Sequence, residues 1–147
     1  MIADRLDMEV NSSWEKIEGV SSIPTFMRKG RGDENALQIS WISIPKDKPV
    51  QMDVEEFAIE WAKSIGGVVQ RTSNGAARYG KFGSAIFKAK EYPYCQVWMV
   101  SDGANFLSAT FVCSHFPTNI ELVEVQEMVL SLRPDSPTPI KKRWWKF

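Results

Sequence analysis

Tyr92 to His115 reads YPYCQVWMVSDGANFLSATFVCSH. Two runs rich in β-branched and aromatic residues flank Asp102-Gly103, and Asp-Gly between such runs specifies a hairpin because glycine accepts the positive φ of a tight turn. With Asp102 and Gly103 as the two loop residues, the spacing predicts Val100 opposite Asn105, Trp98 opposite Leu107 and Gln96 opposite Ala109, all on one face. Val97, Met99, Phe106, Ser108 and Val112 then share the other face. Strand side chains alternate between faces, so a hairpin that is apolar on both must be covered on both, which places it inside a layered structure.

Outward from the hairpin, the signals are uneven. Met8 to Glu18 matches neither period and predicts only a weak strand. Thr25 to Lys29 is a short strand, Gly30 to Asp33 a turn, and Ala36 to Ile44 a longer strand that Pro45 closes by withholding a backbone donor. VEEFAIEWAKSI after Asp53 is the clearest helix. Asp53 caps it, Glu56 is placed to return the bond, Met52 and Phe57 are spaced as a hydrophobic staple, and Gly66-Gly67 is the stop. Val54, Phe57, Ala58, Trp61, Ala62 and Ile65 recur on one face of that helix.

Val68 to Arg71 starts a strand expected to break at Asn74-Gly75. Ser84 to Lys90 is a strand with one wet face, expected toward a sheet edge. Thr118 to Glu121 has capping-box spacing for a second helix running through Leu132. Its stripe of Leu122, Val125, Val129 and Leu132 is broadened by Ile120, Val123, Met128 and Leu130, which predicts heavy burial. Arg133-Pro134 ends the helix, and DSPTPIKKRWWKF follows with no defensible period.

A chain of 147 residues that is 44% hydrophobic and 24% charged is expected to form one domain over 1–134 with a basic, tryptophan-bearing tail over 135–147. The net charge of zero gives no reason to expect a nucleic-acid partner. It conceals an asymmetry: taking Lys141, Lys142, Arg143 and Lys146 from the 18 basic residues leaves 14 against 18 acidic ones. Cys95 and Cys113 fall on opposite faces of the predicted hairpin, which excludes a disulfide and points to two buried thiols in a reducing compartment. No basic segment followed by an apolar one opens the sequence, and no apolar run reaches membrane-spanning length. The expected location is the cytoplasm, with no membrane association.

Candidate sites are few. Gly75 to Phe82 has the glycine and lysine spacing of a phosphate loop, but Phe82 stands where that loop needs Ser or Thr, and a strand follows where it needs a helix. A turn and a glycine-relaxed strand are expected instead. Cys113 and His115 supply two ligands where zinc takes three or four, and as a catalytic pair they have no orienting third group. The expectation is therefore no catalytic residue, no metal and no cofactor. Among six tryptophans, Trp41, Trp61 and Trp98 fall on faces predicted to be core. Trp144 and Trp145 sit among Lys141, Lys142 and Arg143, and these five are the candidate partner-contact residues.

The order of a weak strand, a strand pair, a capped helix after a proline stop, several antiparallel strands and a helix ending in Ser131-Leu132-Arg133-Pro134 resembles the PsbP-like group. The ALQIS stretch and the W-x-V-x-D-G stretch carry the resemblance, which covers roughly residues 8 to 133. That group is shared by extrinsic photosystem subunits, a Ran-binding nuclear import factor and small bacterial families of unknown function. The resemblance implies an α+β fold, a mostly antiparallel sheet with helices packed on its faces as a three-layer α/β/α sandwich. It also implies binding of another protein rather than catalysis, as the understood members of that fold act, and some bacterial relatives accompany toxin or secretion systems. The expected function is a non-catalytic protein-interaction module of the immunity or accessory type in a bacterial secretion or toxin system. A homo-oligomer is left open. The alternative is a small-molecule binder with a Trp/Met-lined pocket between sheet and helix.

Overall fold

The computed structural model describes residues 6–17, 24–30, 35–42, 53–78, 80–101 and 106–134. The elements are β1 (Leu6–Asp7), β2 (Trp14–Lys16), β3 (Thr25–Arg28), β4 (Asn35–Ile42), α1 (Val54–Ser64), β5 (Val68–Ala76), β6 (Lys81–Ala89), β7 (Tyr92–Ser101), β8 (Phe106–Cys113), α2 (Asn119–Leu130) and β9 (Arg133–Pro134). Strands β2 to β8 form one antiparallel sheet in the order β2-β3-β4-β8-β7-β6-β5, and β1 pairs separately with β9. Two meanders explain the order. The chain climbs through β2, β3 and β4, crosses on α1 to the far edge, and returns through β5, β6 and β7 until β8 closes on β4. The fold is α+β.

The central hairpin is β7 and β8, with a register two residues from the expected one. Trp98 lies opposite Ala109, Val100 opposite Leu107 and Ser101 opposite Phe106. Four residues, 102–105, therefore separate the paired ends, and they lie outside the described residues. A slip of two preserves every face, because the side-chain period is two. Trp98 and Leu107 thus share a face as expected, although they are not direct partners.

Each face has its own core. One joins Leu37, Ile39, Trp98, Val100, Leu107, Ala109 and Phe111 to Val125, Met128 and Val129 of α2, with Trp14 edge-on to Phe111 at 6.0 Å. The other joins Ala85, Phe87, Val97, Met99 and Phe106 to Val54, Ala58 and Ala62 of α1. Trp98 is 1% exposed, and its indole N–H finds no hydrogen-bond partner among the described residues. Cys95 belongs to one core and Cys113 to the other, and both are free thiols.

α1 begins and ends as its sequence requires. The Asp53 carboxylate accepts the Glu56 N–H at 3.4 Å. At the other end Gly66, at φ 83°, donates to the Lys63 carbonyl and Gly67 to the Ala62 carbonyl, the pair of bonds that satisfies a helix C-terminus through a left-handed glycine. Trp61 is only partly buried, edge-on to Phe87 at 6.5 Å, and Ile65 is exposed rather than core. Met52 and the side chain of Trp41 lie outside the described residues.

One strand expectation is corrected. β5 does not break at Asn74-Gly75: Asn74 pairs with Gly83 and Gly75 with Phe82. The turn lies further on, where the Ala77 N–H donates to the Gly80 carbonyl at 2.8 Å and Gly80 returns the bond at 3.1 Å. Tertiary contact overrides the local turn signal, since the Asn74 amide donates to Glu55 of α1 at 2.6 Å. β6 starts at Lys81, three residues before the expected start, and lies toward the edge as expected, next to the outermost β5.

Candidate functional site

α2 is held by three grips. At its start the Thr118 hydroxyl accepts the Glu121 N–H at 3.1 Å, the Glu121 carboxylate accepts the Thr118 N–H at 3.0 Å, and the other Glu121 oxygen accepts from the Asn35 amide at 3.3 Å. One carboxylate thereby closes the capping box and anchors the helix to β4. Midway, Glu124 accepts from the Trp14 indole at 2.9 Å and from Arg28 Nε at 3.0 Å. At the end, the Arg78 N–H donates to the Leu130 carbonyl at 2.9 Å and its guanidinium to the Ser131 carbonyl at 3.1 Å. α2 has no basic residue in its last turn, so a cation from the β5–β6 turn meets the negative end of its dipole.

These grips decide which side faces outward. The heavy burial expected of this helix is corrected: Glu121, Val125, Met128 and Val129 point in, while Ile120 is 63% and Val123 57% exposed. Phe116, two residues before the Thr118 N-cap, is 72% exposed. Ile120 and Val123 lie three apart on the helix, so the two align along its outer surface. Beside them Leu122, Val123, Gln126, Glu127 and Leu130 line a shallow groove. α2 carries Glu121, Glu124 and Glu127 and no Lys or Arg. Counting apolar residues alone assigned Ile120 and Val123 inward, because Glu121 takes an inward place that a hydrophobicity pattern gives to an aliphatic side chain.

A second feature lies on the opposite face, beside the C-terminal half of α1. Gln38, Ser40, Trp61, Ile65, Phe87, Ala89, Tyr92, Cys95, Ser108, Thr110 and Val112 line a cleft of about 310 Å³. α1 packs against β5, β6 and β7, and the cleft opens where β8 and β4 continue past it. The lining contains Trp61 and no Met, unlike the pocket expected from sequence.

The five tail residues, Lys141, Lys142, Arg143, Trp144 and Trp145, lie outside the described residues. Gly75 to Phe82 is the end of β5, a turn and the start of β6, with no helix after the lysine. Cys113 is fully buried, and burial, with the Glu121 carboxylate nearby, pushes its thiol up. Burial of this kind disfavours the thiolate form. The His115 N–H donates to the Asn35 side chain at 3.4 Å. Among the described residues no three metal-ligating side chains gather, and no helix is long and apolar enough to cross a membrane.

No protein-family model matches the sequence, and no curated protein does. Among solved structures, the cyanobacterial PsbP (CyanoP) of Synechocystis sp. PCC 6803 superimposes with a TM-score of 0.59 over 88% of this chain and 92% of that one, at 9% identity. The fold is PsbP-like. A protein of Bacteroides thetaiotaomicron VPI-5482 superimposes with a TM-score of 0.47 at 12% identity, over 90% of this chain and 46% of that one. At such identities the likeness to the PsbP structure is one of fold, and function has to be argued from the surface.

Proposed function

We propose that this chain is a non-catalytic protein-interaction module and that the outer face of α2 is its contact surface. The observation that carries this reading is the alignment of Ile120 and Val123, both more than half exposed, on a helix anchored along its length, with the exposed Phe116 just before its N-cap. Apolar side chains in register on a solvent-facing helix have no packing role in the monomer and mark a docking patch. The partner's surface is apolar with basic flanks, because Glu127 borders the stripe and α2 offers no positive charge. We place the protein in a bacterial cytoplasm, as an immunity-type or accessory component of a secretion or toxin system, and read its sheet and helices as a three-layer α/β/α sandwich. Two cores on opposite sheet faces, one per helix, support the layering. Lys141, Lys142, Arg143, Trp144 and Trp145 form a second contact region in this proposal.

The test compares the protein with an Ile120→Glu/Val123→Glu variant. The unaltered chain is expected to form a complex of defined mass with a partner purified from the source cell, and the variant to lose it while melting at the same temperature. A variant that forms the same complex with equal affinity sinks the proposal. A second reading, a small-molecule binder, draws on the cleft beside α1, whose volume sits at the low end of ligand pockets.

A further inference from the structure

We propose that the cleft between α1 and strands β4, β7 and β8 binds a small, uncharged ring compound that carries hydrogen-bonding groups along one edge. This rests on the small-molecule reading above and is independent of the α2 surface.

None of the eleven lining residues is charged. A charged ligand would have to leave water for a site with no counter-ion among its described lining residues, which a neutral one avoids. The polar lining is also one-sided. Gln38 lies opposite Thr110 and Ser40 opposite Ser108 in the β4–β8 register, so four hydrogen-bonding side chains form two adjacent cross-strand pairs. The two serine hydroxyls bond each other at 2.9 Å. Gln38 and Thr110 make no side-chain hydrogen bond among the described residues, which leaves an amide and a hydroxyl to meet a ligand edge. The same sheet face adds Phe87 and Tyr92 to the lining, and Trp61 and Ile65 come from the end of α1, so aromatic and aliphatic surface on which a ring can lie adjoins the polar pairs.

The polarity of the floor is specific to this region. Along β4 the residues turned toward α2 are Leu37 and Ile39, and along β8 they are Leu107, Ala109 and Phe111. Their alternates on the α1 side are Gln38, Ser40, Ser108 and Thr110. Elsewhere on that side the sheet presents Ala85, Phe87, Val97, Met99 and Phe106 beneath the helix. Packing against α1 would favour apolar residues throughout, so the change to amide and hydroxyl groups coincides with the point where the helix stops covering the sheet.

Three probes of matched shape separate the possibilities: benzamide, benzoate and benzamidinium, titrated into the isotope-labelled full chain. Benzamide is expected to shift the Trp61 indole and the Gln38 side-chain amide in a saturable way, with about tenfold weaker effects from the two ions. Gln38→Leu and Thr110→Val, separately, are expected to weaken benzamide several-fold while leaving the melting temperature unchanged. If either ion binds the cleft as well as benzamide, or if both variants bind it undiminished, the neutral, edge-bonded class is wrong although small molecules do bind there. If no probe shifts any cleft resonance, the small-molecule reading falls with it.

Discussion

Arg28 holds Glu124 by both carboxylate oxygens, its Nε 3.0 Å from Oε1 and its Nη2 3.3 Å from Oε2. With the Trp14 indole donating to the same Oε1, this pair fastens α2 to β2 and β3. The Arg28 hydrogen bonds, helped by that of Trp14, hold the Glu124 carboxyl below the usual glutamate range. A group with a depressed folded-state pKa stabilises fully above its unfolded value and loses that contribution as pH falls through the folded one. Glu124→Gln is therefore expected to be less stable than the parent at neutral pH, with the gap narrowing below the ordinary glutamate value of about 4.3. Guanidinium melts across that range check it; a gap that stays constant would mean the charge is not the source of the difference.

Gly83 lies under the first turn of α1, where a Cβ would run into the backbone of Val54 and Glu55. Backbone cannot step aside as a side chain can. Gly83→Ala is expected to cost about 1–3 kcal/mol or more through forced displacement of the helix. Gly75 is the comparison: a Cβ there meets a side chain, the Phe82 ring at 2.9 Å, rather than backbone. Gly75→Ala should stay within about 1 kcal/mol of the parent in a urea melt.

The two helix caps should differ. Thr118 takes part in a reciprocal box with bonds of 3.0 and 3.1 Å, whereas Asp53 accepts a single exposed bond at 3.4 Å. Thr118→Ala is expected to cost about 1–2 kcal/mol and Asp53→Ala about 0.5 kcal/mol. Equal losses in a denaturant titration would show that bond geometry does not govern these caps.

Cys95 and Cys113 are buried, and burial raises both thiols. Neither should react with a thiol reagent at mildly alkaline pH in the native protein, and both should react at once in denaturant. Rapid labelling of the native chain would contradict their placement in the two cores.

Removing residues 135–147 should leave the fold intact, because the β1–β9 pairing ends at Pro134 and the described core lies within the preceding residues. Circular dichroism and a thermal melt of the shortened chain provide the comparison. A shortened chain that fails to fold would make the tail a structural element.

Local chemistry determined much of this protein. The caps at Asp53 and Thr118, the glycine stop after α1, the strand that starts near Asn35 and the shared face of Trp98 and Leu107 all follow from side chains acting within a few residues, or from a period of two that a slip of two cannot disturb. Other features depend on groups remote in sequence. The Asn-Gly pair of β5 stays extended because β6 pairs with it and α1 holds Asn74. Glu121 points into the core because Asn35, 86 residues away, meets it there. That inward carboxylate, with Arg28 and Arg78 gripping α2 further along, turns Ile120 and Val123 outward and creates the apolar stripe. The cleft beside α1 likewise exists only once the sheet brings β4 against β8, setting Gln38 beside Thr110. Periodicity records how often a residue is apolar, whereas the side it faces is decided by the partners that folding delivers.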